Sequence, residues 1–472
     1  MFAISVFLLL AAGWALLGLF GLQTRSRVGD LGLAWLLGGG YFGLAVAALR
    51  FIVGVAYSTP LALMVVSAPV LLWAWRWKRG TPRASGGAPS ASRWVPRPRW
   101  LFAPLASYVL VMTASIGLHG FSTPTNTDDG MRVRAFASTL AFDDEWGPEA
   151  RNIFVMTGPV GAFVPSLGFR LMNDVDHFAV NYVSFTNLLA LLLLVIFIPC
   201  ARGAPARGWS SAFALLSLPL FMYHCTSTYA DAWVAIYVGA AVFFLLELSV
   251  SSDPADIARA LLLLVVAAMA KREAELVVAP VAFVVLLAAF VRLRQLRPIV
   301  YLAPYLLFVA TKVAAVGAAS AFPFVRLFMG RAEDTVHGQV TSVMLNSEHA
   351  PRMFLYALFG SGNAGLLFYA LVPCALVGIA RARRLGLHFA LLAVGALFAE
   401  VTLTSLWLYP RFTVDQSTVH RALLPTSVAA ALWIAALLSQ LNEPALASAP
   451  QGGAAAPDAA IARSSKRRAR AS

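Results

Sequence analysis

The sequence is short of charge. Asp, Glu, Lys and Arg make up 12% of its 472 residues, against about 25% in an ordinary soluble domain. So few ionic groups exclude a large water-soluble domain. Cysteine is scarce as well: Cys200, Cys225 and Cys374 have the spacing of neither a metal site nor a disulfide framework. No Walker loop and no dinucleotide glycine motif is present, which argues against a nucleotide-driven pump. The absence of a convincing internal repeat weakens an inverted-repeat transporter. Residues 1–22 lack a positive leading region and their apolar run is long enough to span, so they read as a membrane helix and not as a secretory signal.

What the chain has in abundance is apolar length. Hydrophobic residues make up 60% of it and the mean hydropathy is +0.75. At about 20 apolar residues per span, the fold expected is all-α, a polytopic transmembrane bundle. Apolar runs give about thirteen spans, near 2–22, 31–53, 58–75, 101–119, 178–199, 210–225, 229–248, 259–270, 274–291, 299–320, 353–380, 386–405 and 421–440. The pair 259–270 and 274–291 can also be read as one broken helix.

Loop charge is independent of apolar length and tests that count. Lys and Arg total 36 and Asp and Glu 22, a net charge of +14. With thirteen spans the basic segments 78–100, 201–209, 292–297, 381–384 and the tail all fall on one side, with Arg25 and Arg27. The positive-inside rule makes that side the cytoplasm, with the N-terminus outside and the C-terminus inside. The excess charge therefore belongs to loops facing anionic lipid and not to a nucleic-acid surface. The Pro/Ala/Gly/Ser/Arg-rich segments 78–100 and 441–472 read as disordered and cytoplasmic. Long loops, 120–177, 321–352 and 406–420, fall on the other side, where function is expected. Loop 120–177 should carry interfacial helices, one amphipathic over 131–142 and one reaching about Met172.

Five constellations lie on that outer side. Thr127-Asp128-Asp129-Gly130-Met131-Arg132 opens the first long loop. Its carboxylates read either as helix caps or as a general base at the membrane surface. Thr157-Gly158-Pro159-Val160-Gly161, with Pro165 beyond, reads as a turn. Tyr229-Ala230-Asp231 opens a span, where Asp231 can cap the helix or face a cavity. Lys271-Arg272-Glu273-Ala274-Glu275 interrupts two apolar runs with almost no loop. Ionised groups there cost about 2.5–3.5 kcal/mol each if they face the centre of a bilayer. They should face water, one another or a ligand, and Lys with Arg suits phosphate. His420-Arg421 opens the last span, with Arg421 either snorkelling or making a further phosphate contact.

In this order the motifs resemble those of the class-C integral membrane glycosyltransferases, which use polyprenyl-phosphate sugars. Thr127 to Arg132 stands at the family's acidic outer-loop motif, Gly158-Pro159 to Pro165 at its Pro-rich segment and Tyr229-Ala230-Asp231 at its span-opening motif. Ala270-Lys271-Arg272-Glu273 resembles its Lys break, and Arg421 with Leu423-Leu424-Pro425 the start of its late span. The chain departs at Arg132, where an aromatic is common, in the reduction of a Pro-Pro pair to Gly-Pro, and in three extra leading spans. The likeness divides the chain into extra helices over 1–77, the loop 78–100, a transferase-like core over 101–300, further helices over 301–440 and the tail 441–472.

The resemblance implies transfer of a sugar from a polyprenyl-phosphate donor to an acceptor hydroxyl of a cell-envelope glycan, lipid or protein, on the extracytoplasmic side. The absence of targeting signals and the Ala/Arg-rich style lean towards a bacterial inner membrane. It implies Asp128 or Asp129 as base, Lys271, Arg272 and Arg421 on the donor phosphate, and Asp231, Glu273 and His420 in support. It allows a divalent metal and assigns it no ligands. Two other classes compete. A transporter or flippase of a lipid-linked or amphiphilic substrate would place ionisable groups near the bilayer midplane and a path open to both sides. An assembly or sensor protein would have no acidic and basic groups facing one cavity.

Overall fold

The structure is a computed structural model. It describes residues 2–79, 102–122, 128–142, 148–175, 179–226, 229–248, 253–271, 274–294, 297–321, 349–382, 384–408 and 417–442. The loop 80–100, most of the loop 321–352 and the tail lie outside that description. The described residues are helical, without strands. In chain order the helices are α1 (Phe2–Phe20), α2 (Arg27–Ala48), α3 (Thr59–Lys78), α4 (Phe102–Ser122), α5 (Asp128–Phe142), α6 (Pro148–Met172) and α7 (Ala179–Ala201). Then come α8 (Pro205–Leu216), α9 (Pro219–Thr226), α10 (Ala230–Glu247), α11 (Ala255–Ala268), α12 (Ala274–Leu293), α13 (Ala303–Val316) and α14 (Ala318–Ala321). The last are α15 (Ala350–Leu355), α16 (Leu367–Arg381), α17 (Leu385–Leu403), α18 (Ser417–Ala422) and α19 (Leu424–Asn442).

Among the described residues nine helices are long and apolar enough to cross a membrane. The chain is an integral membrane protein of the polytopic all-α kind. Four of the thirteen expected spans are not among the nine: the run 101–119 lies in α4, whose apolar part Ala103–His119 is short, and three take another form. The run 210–225 is two short helices, α8 and α9, with a break at Ser217-Leu218. Pro219 disfavours a helical residue before it and opens α9. The run 259–270 belongs to the 14-residue α11. The run 353–380 is split by the turn from Ser361 to Leu366, where Gly362 and Gly365 have positive φ. Loop 120–177 holds two helices, α5 and α6, which pack along one another.

The helix ends follow from local chemistry. The Ser26 hydroxyl accepts from the Gly29 N–H at the start of α2, and Ser58 from the Leu61 N–H at the start of α3. In lipid there is little hydrophobic force between helices, so association depends on close packing and buried hydrogen bonds. The α1–α2 crossing is close because glycines face it. A Cβ at Gly13 would run into the Ala34 carbonyl, and one at Gly38 into the Leu9 carbonyl. Three indoles find partners inside the bundle: Trp35 donates to Asn187 Oδ1 at 2.7 Å, Trp233 to Ser184 Oγ at 2.8 Å and Trp433 to the Leu387 carbonyl at 3.0 Å.

α10 is the central helix, buried along almost its whole length. It packs against α7, α11, α12, α17 and α19. The leading helices are part of the same body, because α2 packs on α6, α7 and α11. Charge gathers at the two ends of α10. At its C-terminal end Glu247 pairs with Arg202 and Arg207, and Asp256 with Arg202 (3.2 Å) and Arg259. Arg259 also donates to the Leu22 and Gln23 carbonyls, at 2.8 and 2.7 Å, tying the α1–α2 turn to α11. The N-terminal end of α10 holds Asp231.

Candidate functional site

Asp231 lies in the first turn of α10. It does not serve as a simple cap. Its Oδ1 accepts from Lys271 Nζ and its Oδ2 from Arg421 Nε, each at 2.7 Å. Three elements far apart in sequence therefore meet on one carboxylate. The Asp231 side chain is 13% exposed, whereas Lys271 and Arg421 keep 20% and 26%. The cations thus retain accessible surface beside a nearly covered acid.

Lys271 stands where α11 has ended and α12 has not begun. The break is held open by α6. Gly158 has φ 68° and ψ 163°, a turn inside an otherwise helical segment, and a Cβ there would strike the Met269 carbonyl. Pro159 has no N–H to donate. The next N–H, of Val160, leaves its own helix and donates to the Met269 carbonyl at 3.3 Å. The kink in α6 thereby satisfies a terminal carbonyl of α11 that the helix itself leaves open.

Aromatic rings line the other side. The Arg421 guanidinium sits over the Tyr229 ring, 5.1 Å from its centroid, a favourable placement for a cation. The His224 ring lies 4.3 Å from Tyr229, and Tyr223 packs edge-on to His224 at 5.6 Å. His224 belongs to α9, outside the helices that can cross a membrane. Burial pushes its imidazole down to about 4; Asp231 pulls the other way, and Arg421 and Lys271 add to the push. The imidazole is neutral at pH 7, and Lys271, Arg421 and Asp231 together leave one net positive charge. A half-exposed positive cluster walled by aromatic rings suits an anionic group carried on a larger, partly apolar molecule.

Of the residues singled out from sequence, the structure brings together Asp231, Lys271 and Arg421, with Gly158 to Val160 braced against the same break. His420 lies beside them and lines a small cleft with Leu218, Phe221, Asn363, Phe368 and Ser427. Asp128 and Asp129 open α5, which packs along α6; their side chains lie outside the described residues. So do Arg272 and Glu273 entirely. Among the described residues no three His, Cys, Asp or Glu side chains converge as a metal site requires. Sequence reasoning missed the part played by His224 and Tyr223, whose only signal is nearness in sequence to Tyr229. It also missed that Glu275 pairs with Lys312 at 2.8 Å; a single lysine in the apolar segment 297–316 is the trace of that pair.

No protein-family model, no curated protein and no solved structure matches the chain.

Proposed function

We propose that the protein is a membrane glycosyltransferase that moves a sugar from a polyprenyl-phosphate donor to an acceptor hydroxyl on the extracytoplasmic side. The observation that carries the reading is the Asp231 carboxylate clamped by Lys271 and Arg421 at the α11–α12 break. Its side is assigned by the basic segments 78–100, 201–209, 292–297 and 381–384, which favour the cytoplasm at the opposite end.

In this reading the donor phosphodiester carries one negative charge and meets the one net positive charge of the cluster. The acceptor oxygen attacks the anomeric carbon, and the bond from that carbon to the phosphate oxygen breaks. The acceptor proton passes to Asp128 or Asp129. The bonding pair leaves with the phosphate, which becomes a second full negative charge on the polyprenyl phosphate. Lys271 and Arg421 stabilise that developing charge, so they assist the transition state more than the bound donor. Asp231 orients both cations. The Arg202–Glu247–Arg207 and Asp256–Arg259 pairs close the far end of α10, which favours chemistry at one end over a path through the bundle.

The test is transfer of radiolabelled sugar from polyprenyl-phosphate donors by the protein in liposomes loaded with envelope acceptors. Label should pass to acceptor in wild type. Lys271→Ala and Arg421→Ala should each reduce the rate by about 10²- to 10³-fold, the scale of losing one charge-stabilising donor. Label that crosses the bilayer still attached to the lipid, with no product formed, would replace the transferase by a flippase.

A further inference from the structure

The rings beside Arg421 form more than a wall. The buried face of α9 consists of Phe221, His224 and Cys225, one helical stripe. Tyr223 lies off that stripe and is 57% exposed. Its plane is nevertheless held: the His224 ring meets it at 85°, and Tyr229 lies 6.3 Å away at 41°. The α9 helix is itself fixed at its start by the Leu220 N–H, which donates to the Asn363 carbonyl at 3.1 Å. Beyond Tyr229 the next group is the Arg421 guanidinium, and beyond that Asp231. An exposed, oriented ring thus continues directly from the positive cluster.

We propose that Tyr223, backed by His224 and Tyr229, is the surface on which the pyranose or furanose ring of the donor stacks, so that it determines preference for a sugar-bearing phosphodiester over a sugarless one of the same charge. The proposal rests on the transferase reading of the anion site. A sugar ring offers a C–H face to an aromatic plane and hydroxyls at its rim. A tyrosine presents a large rigid area with few torsions to freeze. The phosphate of such a donor, held by Lys271 and Arg421, puts the sugar next to the linkage and therefore next to the rings that flank Arg421.

The experiment measures binding to the full-length protein in detergent micelles. The probes are farnesyl methyl phosphate, a sugarless phosphodiester of the same charge as the donor, and three farnesylphosphoryl sugars, carrying mannose, glucose and arabinose. Wild type should bind at least one sugar-bearing probe more tightly than farnesyl methyl phosphate. Tyr223→Ala should erase that gain, about five- to tenfold for one stacking contact, while leaving farnesyl methyl phosphate binding within about twofold. Tyr223→Trp should retain the gain. Unchanged binding of every probe by Tyr223→Ala, or equal weakening of all of them, overturns the stacking role. Wild type that binds farnesyl methyl phosphate with no gain from any sugar also overturns it, and leaves the anion site standing. Wild type that binds neither kind of probe removes the transferase reading and this inference together.

Discussion

Asp231 is the residue on which most of the site's electrostatics turn. With its charge removed, Lys271 and Arg421 lose the carboxylate that they share. Asp231→Asn should lower stability by about 1–3 kcal/mol, the range for losing a charge-assisted hydrogen-bond partner. Thermal unfolding in detergent measures this. A double-mutant cycle of Asp231→Asn with Lys271→Met should give a coupling of about 1 kcal/mol or more, and additive losses would show the pair to be independent. His224 gives a pH dependence. Its imidazole titrates at about 4 when folded, against 6.5 ordinarily. Between those values the unfolded chain binds more protons, so stability falls as pH drops through the window and is full above 6.5. Acidification from pH 7 to pH 5 should take away about 2 kcal/mol, and His224→Phe should flatten that part of the curve.

These residues were unevenly visible in the sequence. Asp231, Lys271 and Arg421 each interrupt or open an apolar run, where charge is expensive, so each could be picked out alone. That they share one carboxylate could not, because Asp231 and Arg421 are 190 positions apart. His224 looked like an isolated histidine, since its neighbours depend on how α9 docks. Asp256 and Glu247 were passed over for a related reason: Arg202 and Arg207, which bind them, were read as loop charges facing the cytoplasm.

At the level of elements, the site exists because two helices are broken against each other. Gly158 is the hinge residue of α6. Gly158→Ala would place a methyl against the Met269 carbonyl in a left-handed conformation, and should destabilise the protein by about 2 kcal/mol or more. Gly317→Ala is the matched control, because Gly317 has φ 77° and ψ 157°, close to Gly158, and open space around it; there the loss should be the backbone strain alone, about 1–3 kcal/mol and smaller than at Gly158. Equal losses at the two positions would mean that the contact with Met269 contributes nothing. The sequence showed the Gly-Pro turn but not the bond it makes, since the Val160 N–H reaches a carbonyl in another helix. The reverse happened at 210–225, where a continuous apolar run concealed the break ahead of Pro219.

For the molecule as a whole, the two ends of α10 differ: one has buried, paired charge and the other a half-exposed cluster. The sidedness assigned to them can be measured. In a variant with Cys200, Cys225 and Cys374 replaced, Asp174→Cys should react with an impermeant maleimide in intact cells. Arg79→Cys should react only after permeabilisation. The opposite pattern would invert the protein in the membrane and put the cluster in the cytoplasm. The all-α architecture itself was legible from hydropathy. The short helices α8, α9 and α11 fall outside the nine that are long and apolar enough to cross, because breaks such as the one ahead of Pro219 interrupt runs that look continuous in hydropathy.

The clamp on Asp231 also has a consequence for synthesis. Lys271 enters the membrane soon after Asp231, but Arg421 arrives only with the start of the final helix. Throughout the insertion of α12 to α17, the newborn chain carries a carboxylate that has one cation of its eventual two. The site is therefore completed only once Arg421 has been made. A ribosome that stops before residue 417 releases a chain in which Asp231 has Lys271 beside it and lacks Arg421, and such a chain should be shorter-lived in the membrane than one that carries Arg421.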